Sequence, residues 1–211
     1  MDLRLNGKNA IVCGSTQGIG FAVAQQLASM GANVTLLARN EAKLKAKVSE
    51  LAKTDSQHHS CIIADYSSPD SLQKKVGEFV SDSGPIHILI NNTGGPPGGP
   101  ITTAQTEEFT DAFSKHLICN HILASAVIPG MKASGYGRIV NVISTSVKQP
   151  LNGLGVSNTV RGAVANWAKT MANELGEHNI TVNNVLPGAT NTARLSSIVS
   201  NKATKTGRSE E

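Results

Sequence analysis

Hydrophobic residues along the chain follow two alternating patterns. Short runs rich in Val, Ile and Leu lie at residues 9–13, 33–38, 59–64, 86–91, 138–143 and 181–186. Between these runs, apolar residues recur at the spacing of one helix face, as at Ile19, Val23 and Leu27. Strands that alternate with helices are typical of parallel sheets covered by helices. We therefore predict an α/β fold with a doubly wound parallel sheet.

Composition and charge narrow the class of protein. Of the 211 residues, 39% are hydrophobic, 16% are charged and 3% are aromatic, which suits one globular core packed with aliphatic side chains. No apolar run reaches membrane-spanning length, and the N-terminus does not resemble a secretory signal. The net charge of +4 comes from lysines spread over predicted helices, so we expect neither nucleic acid nor membrane as a partner. Cys13, Cys61 and Cys119 are widely spaced, which favours free thiols in the cytoplasm over a disulfide or a metal site.

A glycine-rich loop follows the first predicted strand. It reads Gly-Ser-Thr-Gln-Gly-Ile-Gly over residues 14–20, and an amphipathic helix follows it directly. Ligands of doubly wound sheets bind beyond the carboxyl ends of the strands, and glycines let backbone amides at a helix N-terminus approach a pyrophosphate. The alternative is a glycine-rich turn without a ligand. We predict a dinucleotide site formed by Gly14, Ser15, Gln17, Gly18, Ile19 and Gly20.

Two further loops follow predicted strands. The sequence Asn-Asn-Thr-Gly at residues 91–94 follows the fourth strand, and Pro-Gly at residues 187–188, with Thr192, follows the sixth. Together with the Gly-x-x-x-Gly-x-Gly spacing of the first loop, these motifs resemble the short-chain dehydrogenase/reductase family over nearly the whole chain. Within that family the chain is most similar to the 3-oxoacyl-(acyl-carrier-protein) reductases.

The resemblance implies a Rossmann fold that binds a nicotinamide dinucleotide and a small carbonyl or acyl thioester substrate, in a homodimer or homotetramer. It implies that Asp65 contacts the adenine, Asn91 the adenosine side of the cofactor, and Thr192 the nicotinamide carboxamide. It also implies that four further residues lie around the cofactor: Tyr66, Gly94, Pro187 and Gly188.

The end of the second predicted strand bears on the choice between the two nicotinamide cofactors. An acidic residue there would bind the ribose 2′-hydroxyl of NAD and repel the 2′-phosphate of NADP. Ala38 occupies that position, and Arg39 follows it. Because Arg pairs well with phosphate, we predict that NADP(H) is favoured over NAD(H). The alternative is that Arg39 is an ordinary surface residue of a turn.

The catalytic positions depart from the family's pattern. The family has an Asn, a Ser and a Tyr-x-x-x-Lys pair, and the corresponding positions here are His116, Ser144, Ser157 and Arg161. A serine hydroxyl is a much weaker acid than a tyrosine beside a lysine, and Arg releases no proton near neutral pH. The usual Tyr-mediated reduction of a carbonyl is therefore not available.

We expect Ser144 to hold the substrate oxygen and Arg161 to orient the cofactor ribose or an anionic substrate group. His116 would supply the proton directly or through water, since His titrates near pH 7. His116 is equally compatible with a structural role in a helix packed under the sheet. Two alternative functions stay open: a non-catalytic protein that binds or senses NADP(H), and a non-redox lyase or hydrolase that uses His116 and Ser144.

The last predictions concern assembly and the end of the chain. In the resembled family, helices that correspond to those beginning near Thr106 and Ser157 form the dimer face. We expect residues 1–195 to form one dinucleotide-binding domain. Residues 196–211 are polar and would be a partial substrate lid or a mobile tail, with the family's C-terminal strand missing.

Overall fold

The computed structural model describes residues 2–207 and 209, and it is built around one parallel sheet. The strands are β1 (Asn9–Cys13), β2 (Asn33–Ala38), β3 (Ser60–Ile63), β4 (Ile88–Asn91), β5 (Gly137–Val142) and β6 (Ile180–Val185). Their order is β3-β2-β1-β4-β5-β6, and every neighbouring pair is parallel. The predicted doubly wound α/β fold is confirmed.

Helices connect the strands. They are α1 (Gly18–Ser29), α2 (Glu41–Ser49), α3 (Pro69–Ser83), α4 (Thr106–Phe113), α5 (Cys119–Ser134), α6 (Gly155–Leu175) and α7 (Ala193–Thr206). A π-helical segment, Ser114–Ile118, joins α4 to α5, and short 3-10 turns lie at Ile101–Thr103, Thr145–Val147 and Gly176–His178. Among the described residues, no helix has the length and apolar character needed to cross a membrane.

Aliphatic side chains form a core on each face of the sheet. On one face, Leu72 of α3, Leu123 of α5 and Ala168 of α6 are buried against the strands. On the other face, Ala24 of α1 and Leu44 of α2 are buried in a second cluster. Helices on both faces leave open the edge formed by the carboxyl ends of the strands, where the loops with functional motifs meet.

The strand order reverses between β1 and β4. β2 and β3 lie on one side of β1, while β4, β5 and β6 lie on the other. The loops after β1 and β4 therefore separate and leave a crevice at the carboxyl edge of the sheet, which is where such folds bind ligands.

The C-terminal segment, for which a partial lid or a mobile tail remains the prediction, has a defined helical structure. Over its described part it forms helix α7, which begins before the boundary that we placed at residue 195. The Thr192 side chain caps this helix by accepting a hydrogen bond from the Leu195 amide at 3.4 Å. Residues 208, 210 and 211 lie outside the described residues.

Candidate functional site

The glycines of the first loop allow a close approach between the loops after β1 and β4. Gly14 has a φ of +56°, and a Cβ on it would lie 2.6 Å from the backbone oxygen of Asn92. A Cβ on Gly20 would collide with the carbonyl oxygen of Gly14 and lie 2.7 Å from the Asn92 amide nitrogen. The loop therefore requires glycine at both positions, as the cradle of a dinucleotide pyrophosphate does.

Asn92 ties these two loops together. Its side-chain amide donates to the backbone oxygens of Cys13 and Gly14, at 3.2 Å in each case. Sequence analysis named the preceding residue, Asn91, as a cofactor contact and missed Asn92. Asn91 is the last residue of β4 and Asn92 is the first residue of the loop that follows, so the two side chains have different surroundings.

Asn91 belongs to a buried hydrogen-bonded row of asparagines across the sheet. It is 1% exposed, and its Nδ2 donates to Oδ1 of Asn141 at 2.9 Å. Nδ2 of Asn141 in turn donates to Oδ1 of Asn184 at 3.1 Å. Asn91 thus joins β4 to β5 and does not line either of the clefts described next, contrary to the expected contact with the adenosine.

The first cleft, of about 510 Å³, lies beyond β1, β2 and β3. It contains six of the predicted cofactor residues: Gly14, Gln17, Arg39, Asp65, Tyr66 and Gly94. The other lining residues, which sequence analysis did not name as contacts, are Thr16, Leu37, Ala38, Asn40, Lys43, Ala64, Asn92, Thr93 and Lys115. Ser15 is fully buried below the loop, where its hydroxyl donates to the Leu37 oxygen at 3.4 Å.

Cations outnumber anions around the first cleft. The lining includes Arg39, Lys43 and Lys115, against the single carboxylate of Asp65. Hydrogen bonds from Ser67, with the nearby charges of Arg39 and Lys115, lower the pKa of Asp65, so it stays ionised. A positive cleft at the carboxyl edge of the sheet suits a ligand that carries several phosphates.

The second cleft, also of about 510 Å³, lies beyond β4, β5 and β6 and shares Asn92 and Thr93 with the first. It brings together seven of the predicted site residues: Ile19, Ser144, Ser157, Arg161, Pro187, Gly188 and Thr192. The remaining lining residues are Gly95, Pro96, Val142, Ile143, Thr145, Leu151, Leu154, Ala189, Thr190 and Leu195. Gly18 and Gly20 line neither cleft and shape the turn between them; a Cβ on Gly18 would lie 3.6 Å from the Thr192 methyl group.

The glycine- and proline-rich loop at residues 93–100 is fixed to the start of α6. The Gly99 amide donates to the Gly153 oxygen at 2.8 Å, and the Gly155 amide donates to the Gly99 oxygen at 3.0 Å. A Cβ on Gly155 would collide with the backbone of Ile101. This docking holds the first turns of α6, with Ser157 and Arg161, against the second cleft.

Ser144 and Arg161 are both fixed near the end of β5. The Ser144 hydroxyl oxygen accepts a hydrogen bond from the Ser146 amide at 3.1 Å, which leaves its own proton available to donate. Arg161 is 8% exposed, and its Nη1 donates to the Val142 oxygen at 2.8 Å. The cleft therefore has a hydroxyl donor and a cation at set positions.

His116 does not reach the second cleft. It lies in the π-helical segment Ser114–Ile118, is 1% exposed, and lines neither cleft. This placement argues against the direct donation of a proton from His116 to a substrate. The other route predicted from the sequence, in which the proton passes through water, stays a hypothesis.

Three further groups near the clefts could act as acids or nucleophiles, and all are buried: the thiols of Cys13 and Cys119 and the phenol oxygen of Tyr66. Burial raises the pKa of Cys13 to about 12 and that of Cys119 to about 11, so both thiols are protonated at neutral pH. Burial beside Cys13 also raises the pKa of Tyr66, whose phenol thus does not replace the family's tyrosine. Among the described residues, no group of His, Cys, Asp and Glu is arranged to hold a metal ion.

Comparisons with known proteins agree with this architecture. The sequence profile of the short chain dehydrogenases matches residues 8–203. Gluconate 5-dehydrogenase of Gluconobacter oxydans is 32% identical over 184 residues, which cover 87% of this chain and 72% of that protein. The 3-oxoacyl-[acyl-carrier-protein] reductase of Chlamydia muridarum is 29% identical over 188 residues, covering 89% of this chain and 76% of that protein.

The crystal structure of L-sorbose reductase from Gluconobacter frateurii, complexed with NADPH and L-sorbose, superposes with a TM-score of 0.89. It is 29% identical, and the match covers 98% of this chain and 79% of that one. The sequence motifs and the sheet order thus agree with all three comparisons, namely the family profile, the related sequences and the solved structure. The chain belongs to the short chain dehydrogenase family.

Proposed function

We propose that this protein is an NADP(H)-dependent oxidoreductase that interconverts a carbonyl and a hydroxyl group. The observation that carries the proposal is the junction of the two clefts at Asn92 and Thr93. The positive first cleft and the glycine loop would hold a dinucleotide, and Ser144 lines the adjoining second cleft. The glycine cradle and the cationic lining fit such a group.

The preference for NADP(H) is supported by the charges at the far end of the first cleft. Arg39 and Lys43 both line it, and Ala38 stands where an acidic residue would repel a 2′-phosphate. Of the three lysines of α2, Lys45 and Lys47 form ion pairs with glutamates, at 2.7 Å in each case. Lys43 forms no such pair with any residue that the structure describes.

Calorimetric titration with NADPH and NADH tests this preference. Arg39→Ala should weaken NADPH binding about tenfold or more and leave NADH binding nearly unchanged, because it removes a charge-assisted contact to the 2′-phosphate. Lys45→Ala is the matched control, since Lys45 is exposed on the same helix and paired with Glu41. Equal affinities of the wild type for the two cofactors would contradict the preference.

The residues of the glycine loop and of the first cleft would hold NADPH, which when bound would supply a hydride to a carbonyl carbon. Ser144 binds the carbonyl oxygen through its free proton, and Arg161 stabilises negative charge in the cleft. Because Ser157 and Arg161 cannot replace the Tyr and Lys pair as an acid, the proton comes through water from His116. The proximity of α6 to the π-helical segment that carries His116 supports this relay.

The names of the relatives support a proposal for the substrate class. The names of the relatives refer to gluconate, L-sorbose and 3-oxoacyl groups, all of which contain a ketone or a secondary hydroxyl. We propose a small molecule of this kind, of the 3-oxoacyl type. Turnover of NADPH with a panel of ketones, sugars and 3-oxoacyl thioesters tests the proposal.

A non-catalytic NADP(H)-binding or sensing protein is the second candidate. It is favoured by one observation, the presence of Ser157 and Arg161 at the positions of the proton-donating pair. Tight binding of NADPH without turnover on any carbonyl would support it. A lyase or hydrolase that pairs His116 with Ser144 is disfavoured, because Ser144 lines the second cleft and His116 does not.

We also propose that the protein is a cytoplasmic homo-oligomer. The three cysteines are free thiols, as expected in a reducing compartment. An apolar groove of about 410 Å³ lies between α4 and α6, on the face that the resembled family uses to dimerise. It is lined by Phe109, Thr110, Phe113, Ser114, Ile118, Thr159, Val160 and Ala163.

A further inference from the structure

Arg161 is the only charged side chain among the described residues that line the second cleft. It is 8% exposed, so it meets ligands in the cleft while most of its surface is removed from bulk water. Every other residue of the lining that the structure describes is neutral, and neither Asp nor Glu is among these residues. Arg161 therefore attracts an anionic group that enters the cleft, and no carboxylate of the described lining repels it.

The position of Arg161 also fixes the direction of its guanidinium. Its Nη1 donates to the Val142 oxygen, two residues before Ser144 on the same strand end. The guanidinium is a planar fork with five N–H donors, a shape that matches the two oxygens of a carboxylate. Ser157, which lies one helical turn before Arg161, adds a hydroxyl to the same wall.

We propose that the second cleft binds its substrate by a carboxylate held by Arg161, so that the substrate is a small oxo or hydroxy acid. This inference rests on the proposed function. Ser144 binds the reacting oxygen while Arg161 binds the acid group a few bonds away. In the reduction, the carbonyl carbon gains a hydride from NADPH and its oxygen gains a proton, giving the hydroxy acid and NADP⁺. The carboxylate is unchanged.

A matched pair of ligands tests the proposal without turnover. 3-Hydroxybutyrate and butane-1,3-diol have the same skeleton and the same secondary hydroxyl, and they differ by a carboxylate in place of a CH₂OH group. Their binding is measured at pH 7.5 by titration into the complex of the protein with NADPH, in which neither alcohol can be oxidised. We expect 3-hydroxybutyrate to bind about tenfold more tightly than the diol, or more.

Variants of Arg161 locate the source of this preference. Arg161→Met should abolish the preference for the acid, and Arg161→Lys should keep part of it because the charge remains. Lys148→Met is the control, since it removes an exposed cation of the nearby turn that does not line the cleft. Thermal melting of each variant with NADPH establishes that it is folded, and the wild-type and Arg161→Lys measurements stand even if Arg161→Met does not fold.

The outcomes separate this inference from the proposed function. If the wild type binds NADPH but binds the two alcohols equally, or if Arg161→Met keeps the preference, the inference is wrong. If Arg161→Met instead loses NADPH affinity while the wild type shows no preference, Arg161 holds the cofactor ribose and the inference is also wrong. Failure of the wild type to bind NADPH would contradict the proposed function itself.

Discussion

Ser157 and Arg161 change the acid–base chemistry that the second cleft can support. Neither side chain titrates near neutral pH, and the buried phenol of Tyr66 has a raised pKa. His116 is buried in the segment that joins α4 to α5 and does not line the cleft. A proton that reaches the cleft from His116 must travel through water.

Replacement of His116 tests whether this residue is the source of the proton. His116→Gln keeps a polar side chain of similar size but cannot titrate near pH 7, so turnover should fall about 10²-fold or more while NADPH affinity stays nearly unchanged. The rate that remains should also no longer show the pH dependence caused by protonation of the imidazole. If His116 had only a structural role, its replacement would lower the rate without changing the pH profile.

His121→Gln is the matched control for this variant. His121 is an exposed residue of α5 in edge contact with the Trp167 ring, well placed to report on general effects of removing an imidazole. Full activity of His116→Gln, with an unchanged pH profile, would show that the proton comes from another source.

The glycine loop is the element on which cofactor binding depends most. Gly20→Ala places a methyl group against the Gly14 carbonyl and the Asn92 amide, both of which are part of the connection between the loops. Although Ala favours a helix, this clash should destabilise the fold by about 1–3 kcal/mol and weaken NADPH binding at least tenfold. Chemical denaturation and calorimetry measure the two effects.

Gly162→Ala tests the same substitution where space is open. A Cβ on Gly162, in the interior of α6, has no neighbour within 4 Å. We expect a gain of about 0.5–1 kcal/mol in stability from helix propensity, with unchanged NADPH affinity. A tolerated Gly20→Ala with normal NADPH binding would mean that the loop does not hold the dinucleotide as proposed.

Strands and helices with a clear hydrophobic pattern could be predicted from the sequence. The roles of side chains that depend on tertiary contacts could not. The ends of β1 and β2 agree with the predicted runs because both strands are mostly apolar and buried between helices. The roles of Asn91 and Asn92 could not be separated, since the sequence does not show at which of them β4 ends, and the register comes from the neighbouring strands.

The residues of the candidate site were likewise predicted in part. The residues of the two clefts were found through loops that follow strands, because the topology itself places such loops at the carboxyl edge. His116 was placed at the site by its position in the motif, but a π-helical segment changes which face of the chain a side chain occupies. Lys43 and Lys115 carry no motif, and only the folded structure brings them to the first cleft.

The stability of the whole molecule should depend on pH through His87. Nδ1 of His87 accepts a hydrogen bond from the Asn9 amide at 3.1 Å, which requires a neutral ring nitrogen. Burial, with the nearby charge of Lys8, lowers the pKa of His87 below its usual value of 6.5. The unfolded chain therefore binds this proton more readily than the folded one.

It follows that the contribution of His87 is fully present above pH 6.5 and is lost as the pH falls from there through the lowered pKa. Denaturant unfolding between pH 5 and pH 8 measures the effect. His87→Gln should have a flatter profile over this range than the wild type, and an identical slope in the two proteins would contradict the assignment.

Assembly is also a property of the whole molecule. Phe113 and Ile118 are 41% and 40% exposed beside the apolar groove between α4 and α6. If a second copy covers this groove, Phe113→Glu should shift the protein from dimer toward monomer in sedimentation velocity, because it places a charge in an apolar contact. Leu3→Glu, at a 56% exposed site outside the groove, should have no effect. A wild type that sediments as a monomer at micromolar concentration would rule out this interface.

The most direct test of the account is carbonyl-dependent oxidation of NADPH by the purified wild-type protein. The absorbance of the reduced nicotinamide is followed with acetoacetate, 4-hydroxybutan-2-one and a panel of ketones and 3-oxoacyl thioesters. The account predicts turnover of NADPH in excess of the protein present, faster with acetoacetate than with its uncharged analogue. Tight binding of NADPH with no oxidation by any of these compounds would contradict it and identify the protein as a non-catalytic binder.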